Sequence, residues 1–434
     1  MWRWHFFAGL FIAPFLILLA ISGIIYLFTP QIEDRMYSQY YQVEVEGEKL
    51  LPSEQINAVS QHYENSSVTR FRPGESEDRS SEVRISLNGE SLTIFVNPYN
   101  GNIIGEIPTN QKFSTLVKEF HGELMLGTLG DRLVELAACW TLVLIITGMY
   151  LWLPRSRNKL FGVVIPRLKS GKKIFIRDLH VVPGFWVAGG LTFLILTGLL
   201  WTGFWGTIAQ NIATNIGLGY PPSIWVGNAP TTTIKTKDIA DVPWNAQNLP
   251  VPSSNIEGYI PVSIDDIVEL ANDINIHPAY EVIYPSSPEG VYTLSVFPDK
   301  AEDEATIHID QYTGAILADY RYEHYEPIGK LMAWGITVHK GREYGLVNQL
   351  ALLFLSLGVI GVAASGVILW WKRKPKDHMG APKLPKGITS KGFIALMIMM
   401  GIIFPLFGLS LVIILLIDWL VIKRINHLKK FFNR

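Results

Sequence analysis

Two histidines of this 434-residue chain stand in the same local pattern. In each copy a glycine follows the histidine after one helical turn, and a hydroxyl residue with a second glycine follows later in the same apolar stretch. The spacing is identical in the two copies, which are His5, Gly9 and Ser22-Gly23, and His180, Gly184 and Thr197-Gly198. Because imidazole is the commonest metal-ligating side chain of proteins, His5 and His180 are candidate ligands.

A second pair of histidines repeats with a pattern of its own. Each of these histidines precedes a hydroxyl residue with a glycine and then a tryptophan. The two copies, again equally spaced, are His121, Thr147-Gly148 and Trp152, and His339, Ser365-Gly366 and Trp370. Chance rarely places imidazoles twice in the same frame of long apolar stretches, so we infer that the chain is a tandem duplication.

The elements that position these histidines are expected to be membrane helices. Hydrophobic residues make up 49% of the chain and aromatic residues 12%, and the mean hydropathy is positive. This is too apolar for an ordinary soluble enzyme. A membrane-spanning helix needs about 20 apolar residues. Four stretches meet that requirement: Trp4–Phe28, Val134–Leu153, Val181–Trp205 and Leu346–Trp371.

The distribution of Lys and Arg predicts the orientation, because cytoplasmic loops are enriched in these residues. The segments 154–179 and 372–376 are basic, which places them in the cytoplasm together with the N-terminus. The segments 30–115 and 206–330 are acidic and are placed outside. The formal net charge of −1 indicates no nucleic-acid partner. Cys139, the single cysteine, excludes intrachain disulfides and thiolate metal clusters.

Both acidic segments contain the same small module. A helix is predicted to begin at Ser53 and at Ser263, and each module ends in an Asn/Asp–x–Tyr–x–Gly turn, at 97–101 and 310–314. Such turns indicate hairpins. Strand-like alternation lies between helix and turn, at Glu82–Leu87 and Leu92–Val96, and at Val291–Val296 and Ala305–Ile309. The sequence therefore predicts two small α+β domains.

The apolar stretch 392–420 leaves two arrangements open. It is long for one helix and short for two, and Pro405 interrupts it. Because the tail after it is basic, a cytoplasmic tail requires two passes or a re-entrant hairpin. A kinked hairpin is favoured over a single kinked helix.

The predicted fold class is an α-helical membrane bundle with two α+β domains. Four core transmembrane helices form a pseudo-twofold tandem repeat, and a C-terminal hydrophobic hairpin or kinked helix follows. The predicted boundaries are 1–29 for the first transmembrane helix, 30–115 for the first outer domain, 116–155 for the His121 segment and second helix, 156–179 for the basic loop, 180–205 for the third helix, 206–330 for the second outer domain, 331–373 for the His339 segment and fourth helix, and 374–434 for the C-terminal region.

The repeat predicts how the histidines pair. Parallel repeats are normally related by an axis along the membrane normal, so equivalent residues face each other across the bundle. His5 would face His180 at the inner edge, and His121 would face His339 at the outer edge. Two facing imidazoles are the axial ligand set of a six-coordinate b-type haem. The sequence thus predicts two b-type haems.

The repeated glycines have a predicted role beside these histidines. Gly9 and Gly184 lie one turn beyond His5 and His180, on the same helix face, and without a side chain they leave room for a porphyrin plane. The deeper hydroxyl–glycine pairs have the same capacity, and they are equally typical of close packing between membrane helices.

Arginines are the candidates for binding haem propionates. Arg3, Arg155 and Arg177 lie on the inner side, where the positive-inside bias explains them at least as well. Arg132 and Arg342 lie on the outer side, and Arg342, in an otherwise acidic region, is the better candidate. No catalytic acid or base is predicted.

These motifs resemble those of the PepSY-associated transmembrane proteins, which include bacterial inner-membrane siderophore-iron reductases. The resemblance implies that the outer modules are PepSY-like domains. The residue after His339 is Lys340, where the family pattern has an apolar or aromatic residue. The resemblance covers residues 1–375 and rests on four segments: His5–Gly9–Pro14–Ser22-Gly23; His121-Gly122 with Gly127 and Thr147-Gly148 to Arg155; Leu179-His180 with Gly184 and Thr197-Gly198; and Val338-His339 with Gly341, Gly345 and Ser365-Gly366 to Arg373.

The resemblance also implies a function. Reductase members of the family bind two b haems through histidines and pass electrons across the bacterial inner membrane to ferric siderophores. The implied partners are a cytoplasmic electron donor and a ferric siderophore or other iron chelate. Two other functions stay open. A PepSY-type regulator or inhibitor of an extracytoplasmic protease would be colourless, and a siderophore or metal transporter would need polar residues in mid-membrane, of which the four spans contain almost none.

Overall fold

The computed structural model describes residues 1–153, 162–217, 231–254, 260–376, 378–380 and 391–432. The chain divides into two compact units. The first, here the helical unit, contains residues 1–27, 117–208 and 350–434. The second, here the sheet unit, contains residues 28–116 and 209–349.

The helices follow the apolar stretches of the sequence, because a helix satisfies its own backbone hydrogen bonds in lipid. In the described part of the chain they are α1 (Trp2–Leu27), α2 (Thr29–Met36), α3 (Ser38–Tyr41), α4 (Pro52–His62), α5 (Phe113–Glu123), α6 (Gly127–Trp152), α7 (Lys172–Leu199), α8 (Trp205–Asn215), α9 (Thr236–Ile239), α10 (Ile264–Asp273), α11 (Pro327–His339), α12 (Gly345–Arg373), α13 (Lys391–Ile403), α14 (Pro405–Ile417) and α15 (Asn426–Phe431). A π-turn, Asp418–Ile422, continues α14.

Among the described residues, five helices are long and apolar enough to cross a membrane: α1, α6, α7, α12, and α14 with its π-turn. The first four correspond to the four spans predicted from the sequence, with shifted ends. Glycines bring two of them close together, because a Cβ at Gly190 would lie 2.7 Å from Leu355 and a Cβ at Gly358 only 2.6 Å from Val187. This is the small-residue packing expected between membrane helices.

Helix α7 ends earlier than the sequence predicted, at Leu199 rather than near Trp205. Two carboxylates of α6 explain the corner that follows. Asp131 accepts a hydrogen bond from the Gly203 amide (2.9 Å), and the buried Glu135 accepts one from the Trp205 amide (3.0 Å). These acceptors satisfy amides that open the next helix, α8, and so stabilise the turn between the two helices.

The C-terminal stretch folds as a helical hairpin, the arrangement that the sequence favoured. The chain breaks at Phe404 before Pro405, and the two arms pack through glycine, since a Cβ at Gly408 would lie 2.6 Å from the Gly401 carbonyl oxygen. The ring of Phe393 lies 6.3 Å from Trp4, and that of Phe432 lies 5.9 Å from Phe7. Both ends of the hairpin therefore lie beside the first turns of α1.

The sheet unit is built on one antiparallel sheet of eight strands. They are β1 (Ser67–Arg72), β2 (Ser81–Leu87), β3 (Glu90–Val96), β4 (Ile103–Pro108), β7 (Tyr280–Ile283), β8 (Val291–Val296), β9 (Ala305–Asp310) and β10 (Ile316–Arg321), and a separate hairpin contains β5 (Thr231–Lys235) and β6 (Pro250–Pro252). The strand order is β10-β9-β8-β7-β1-β2-β3-β4, so each half supplies four neighbouring strands.

The two outer modules, predicted as small α+β domains at 30–115 and 206–330, share this one sheet. Strands β1 and β7 join the halves, with Phe71 opposite Val282. One face of the joined sheet packs against α4 and α10 in a single apolar core that includes Val59 and Ile267. Each half by itself is a four-stranded sheet with one helix, and the pairing removes an edge strand from each half.

The two predicted turns are present. In both, the closing glycine has a positive φ, +72° at Gly101 and +70° at Gly314, which favours glycine. The Gly101 amide donates to the Asn97 carbonyl, and the Gly314 amide donates to the Asp310 carbonyl. These turns join β3 to β4 and β9 to β10.

Candidate functional site

The structure brings His5 and His180 together within the helical unit. His5 lies in the first turns of α1, and His180 lies in the third turn of α7. Their ring centres are 6.5 Å apart, and the ring planes are inclined by 71°. Two imidazoles that share one metal through bonds of about 2 Å hold their ring centres about 6 Å apart. The observed separation matches that arrangement.

A cavity of about 450 Å³ surrounds the two histidines. Its size lies in the range of cofactor sites, about 300 to 1,000 Å³. The walls come from α1, α6, α7 and α12 and are mainly apolar, with Leu10, Leu144, Phe185, Leu191, Val362 and Val367 among them.

Gly9 and Gly184 both line this cavity. A Cβ at Gly9 would reach Leu144 at 3.7 Å, and a Cβ at Gly184 would reach Val362 at 3.9 Å, both ordinary contacts. Helix packing therefore does not require glycine at either position. The missing side chains instead widen the cavity beside the histidines, as expected for a flat group seated against the backbone.

Each histidine of this pair has one ring nitrogen engaged by the protein. His5 Nδ1 lies 2.9 Å from Thr147 Oγ1, and His180 Nδ1 lies 2.9 Å from the carbonyl oxygen of Val362. Metal-bound histidines usually hold their second nitrogen in this way. Nε2 of each ring is then the nitrogen left for a ligand role.

Two of the deeper hydroxyl–glycine pairs, Thr147-Gly148 and Ser365-Gly366, lie against the histidines at the cavity wall. A Cβ at Gly148 would lie 3.1 Å from Cε1 of His5, and a Cβ at Gly366 would lie 3.1 Å from Cε1 of His180. Of the two roles that the sequence left open, the structure therefore shows close packing, but of a glycine against an imidazole.

His121 shows the same contact. Its Nδ1 lies 2.8 Å from Ser22 Oγ, a Cβ at Gly23 would lie 3.3 Å from its Cε1, and the ring of Tyr26 stacks on it. His339 ends α11 and belongs to the sheet unit, whereas His121 belongs to the helical unit. The pairing of these two histidines stays a prediction from the sequence repeat.

The two repeated tryptophans also line the cavity, a role that the sequence did not indicate. The indole N–H of Trp152 donates to the Val163 carbonyl (2.9 Å), and that of Trp370 donates to the Met379 carbonyl (2.9 Å). Trp152 stacks on Phe185 with ring centres 4.4 Å apart. Each tryptophan thus ties the chain that follows its helix to the rim of the cavity.

Among the described residues that line the cavity, three have cationic side chains: Arg177, Arg373 and Lys374. Sequence reasoning named Arg177 but missed the other two. The repeat contained the signal, because Arg373 follows Trp370 at the distance at which Arg155 follows Trp152. Arg155 itself lies outside the described residues.

The other arginines considered from the sequence have different contacts. Arg3 donates to the Phe432 carbonyl, and Arg132 pairs with Asp131. Arg342, the preferred outer candidate, pairs with Asp299 at 2.9 Å. These contacts give Arg132 and Arg342 a structural role within their own units.

A bare metal site receives no support from the described residues. They contain no group of three or more His, Cys, Asp or Glu side chains placed to hold a metal ion. The arrangement of two histidines on a large apolar cavity fits a group that brings most of its own metal ligands, as a porphyrin does.

The family model of the PepSY-associated TM region matches residues 2–373. The chain belongs to the PepSY-associated transmembrane family. No curated protein matches the chain. The match includes both halves of the repeat and all four repeated histidines, and it ends before the C-terminal hairpin. Since five helices of its described part are long and apolar enough to span a bilayer, this PepSY-associated protein is a membrane protein.

Proposed function

We propose that this PepSY-associated protein is a haem-dependent electron carrier of the membrane that reduces ferric iron held by a siderophore. The observation that carries the proposal is the cavity in which His5 and His180 face each other from equivalent positions of the repeat. The two-ligand geometry, the glycine-lined wall and the apolar surroundings suit a b-type haem.

Each part of the site has a separate task in this proposal. His5 and His180 would ligate the iron through Nε2, and Arg177, Arg373 and Lys374 would neutralise the propionates. When bound, the haem supplies one-electron chemistry through its iron. The apolar walls exclude water, so the protein contributes position and potential and needs no catalytic acid or base.

A second b haem, ligated by His121 and His339, completes the proposal and rests on the repeat in the sequence. Two haems at opposite edges of the bilayer suit electron transfer across it. A single haem would be enough for a reaction on one face of the membrane. In this proposal the N-terminus would lie in the cytoplasm of a bacterium and the sheet unit outside the inner membrane, an orientation that the basic segments favour. The donor would then be cytoplasmic.

The acceptor follows from the chemistry of iron. Fe(III) is a hard ion that hydroxamate or catecholate oxygens hold tightly, whereas Fe(II) binds such oxygens far more weakly. One electron delivered to the ferric chelate gives Fe(II) and frees the siderophore. A membrane electron carrier can therefore release iron without cleaving the chelator.

An absorption spectrum of the detergent-purified protein tests the proposal. Low-spin b-type bands that sharpen with dithionite are expected, and His5→Ala or His180→Ala should each remove one haem of the two. His62→Ala, at an exposed histidine outside the repeat pattern, is the matched control and should keep both. A colourless protein after expression with sufficient haem would contradict the proposal.

The same experiment separates the alternatives. A regulator of an extracytoplasmic protease would be colourless and unaffected by the histidine substitutions. A transporter would need a polar path, but Glu135, the acid of the second span, is tied to the Trp205 backbone. A ferric siderophore should oxidise the dithionite-reduced protein, and failure of that reaction would restrict the proposal to electron transfer with another acceptor.

A further inference from the structure

Three hydroxyl groups beside the histidines have already used their single proton. Thr147 donates to the Val143 carbonyl at 2.6 Å, Ser22 donates to the Leu19 carbonyl at 3.1 Å, and Ser365 donates to the Val362 carbonyl at 2.9 Å. A hydroxyl has one proton and two lone pairs. Each of these oxygens can therefore only accept a further hydrogen bond.

This fixes the direction of the hydrogen bonds to the histidines. With the hydroxyl protons directed at these carbonyls, the arrangement favours donation from His5 Nδ1 to Thr147 Oγ1 and from His121 Nδ1 to Ser22 Oγ. His180 donates to the Val362 carbonyl, which has no proton to give. All three rings are thus in the Nδ1–H tautomer, and Nε2 has the free lone pair that a metal requires.

The glycine of each pair controls the position of the ring. At Gly148, Gly366 and Gly23 the histidine Cε1 occupies the space where a Cβ would extend, at 3.1 to 3.3 Å. We call each pair a histidine seat, defined as Ser22-Gly23, Thr147-Gly148 and Ser365-Gly366. The hydroxyl or a neighbouring carbonyl sets the tautomer, and the glycine sets the depth of the ring.

We propose that the histidine seats are positioning elements that fix the tautomer of the ligating histidines and tune the potential of the iron they bind. This inference rests on the proposed function. A histidine that donates from Nδ1 is a more basic ligand, which favours Fe(III) over Fe(II) and lowers the potential. The seats act through the histidines and do not touch the iron.

The two seats of the His5 cavity use different acceptors. At His180 the acceptor at 2.9 Å is the Val362 carbonyl, and Ser365 Oγ is farther away at 3.4 Å. At His5 the acceptor at 2.9 Å is the Thr147 hydroxyl, with the Leu144 carbonyl as a second one. Removing the hydroxyl should therefore matter more at His5 than at His180.

Redox titration of three variants of the full-length, haem-loaded protein tests this difference. Thr147→Val keeps the shape but removes the acceptor, and we expect the preference for Fe(III) at this site to fall about tenfold, a rise of about 59 mV for a one-electron couple. Ser365→Ala should change the preference less than twofold. Thr147→Ser restores a hydroxyl and should return the potential to the wild-type value.

Thr192→Val is the matched control for the helix, because Thr192 donates to the Ala188 carbonyl in the same way but is not among the residues that line the cavity. Loss of haem from Thr147→Val with full retention in Thr147→Ser and Thr192→Val also supports the inference. Equal potentials in wild type, Thr147→Val and Ser365→Ala would overturn it while leaving the haem proposal intact. A wild-type protein without haem would overturn the proposed function itself.

Discussion

Around His5 and His180 the two halves of the chain repeat the histidines, the glycines, the hydroxyl–glycine pairs and the tryptophans at equivalent positions. On the sheet, by contrast, equivalent positions have different residues. The turns at 97–101 and 310–314 align the halves, and the strand registers then make Phe95 equivalent to His308. The residues opposite them are Glu82 in one half and Thr293 in the other. A charged residue in the first half, Glu82, thus corresponds to a neutral residue in the second, Thr293.

The local cover of the sheet explains this difference. In the second half, the segment after β5 covers the sheet, since Ser295 donates to the Asp241 carbonyl and Ala240 packs near Ile283. Thr293 and His308 are fully buried there, and burial lowers the pKa of His308 to about 3, so it stays neutral. In the first half, Tyr40 and Tyr41 cover Phe95, and Glu82 beside it pairs with Lys112 at 3.0 Å.

The comparison shows at which positions a function shared by both halves limits the residue type. The residues at the His5 cavity meet the same requirement twice, to hold one imidazole at one depth with one tautomer. The sheet positions need only suit whatever covers them locally. Four predictions, from the largest expected effect to the smallest, test this distinction.

The largest effect is expected where the halves are alike. Gly148→Leu and Gly366→Leu should each displace a histidine ring and lower haem retention at the His5 cavity about 10- to 100-fold. Gly189→Leu is the control, because a Cβ there meets nothing within 4 Å. Haem content of purified variants measures the effect. Unequal loss from Gly148→Leu and Gly366→Leu would break the equivalence of the halves.

Glu304 tests a site found in one half only, since its equivalent in the first half is the exposed Ser91. Burial, and then the charge of Glu343, raises the pKa of Glu304 to about 8 against the opposing effect of Lys340. An acid whose pKa is higher in the folded than in the unfolded state stabilises the fold at pH values below its ordinary pKa. That stabilisation is lost as the pH rises through the raised pKa. Unfolding free energy should thus fall by about 1 kcal/mol per pH unit between about pH 5 and 8.

Glu304→Gln should flatten this dependence in thermal melts of the detergent-purified protein. The matched control is Glu82→Gln. Burial by itself would raise the pKa of Glu82, but Lys112 and Arg72 outweigh it and lower that pKa to about 2. Removing Glu82 should lower stability without changing the slope between pH 5 and 8. An unchanged slope in Glu304→Gln would show that another group titrates there.

Glu281→Gln tests the junction between the halves. Glu281 accepts from Arg70 at 2.6 Å across the β7–β1 pairing and lies 4.0 Å from Arg84, and all three side chains are about one-quarter exposed or less. The free energy of unfolding should fall by about 1 to 2 kcal/mol, because two partly buried arginines lose this carboxylate. Glu302→Gln, in a largely exposed pair with Lys300, should cost less than about 0.5 kcal/mol. Equal melting temperatures would contradict the prediction.

The smallest effect is expected at the mouth of the cavity. Arg373→Gln should lower the potential of the bound iron by on the order of tens of millivolts, since a screened cation at the rim favours Fe(II) only weakly. Lys372→Gln is the control. It removes one positive charge from the residue next to Arg373 and should leave the potential unchanged. Identical titrations of both variants would exclude Arg373 from the site.

Much of the fold followed from local signals in the sequence. The four spans, the two glycine turns and the main strands were predicted because apolar length, period and turn chemistry are properties of short segments. The proximity of His5 and His180 could be expected because the repeat makes them equivalent. The repeated motifs by themselves also indicated the family.

Other features depended on contacts between distant segments. Strands β1 and β7 were not identified in the sequence, and their pairing turned two expected domains into one sheet. Arg373 and Lys374 were hidden in a basic stretch that topology already explained. The sequence could not assign the hydroxyl–glycine pairs, because packing and cofactor binding select the same small residues.

The sequence by itself determined that the chain is a duplicated membrane protein with two equivalent pairs of histidines, because composition and spacing record both facts directly. Only the tertiary structure decided that Thr147 faces His5, that the Val362 carbonyl faces His180, and that the halves share one sheet. The physical reason is that a hydrogen-bond partner or a strand neighbour is chosen by three-dimensional proximity, and residues 142 or 211 positions apart reveal it only when the chain is folded.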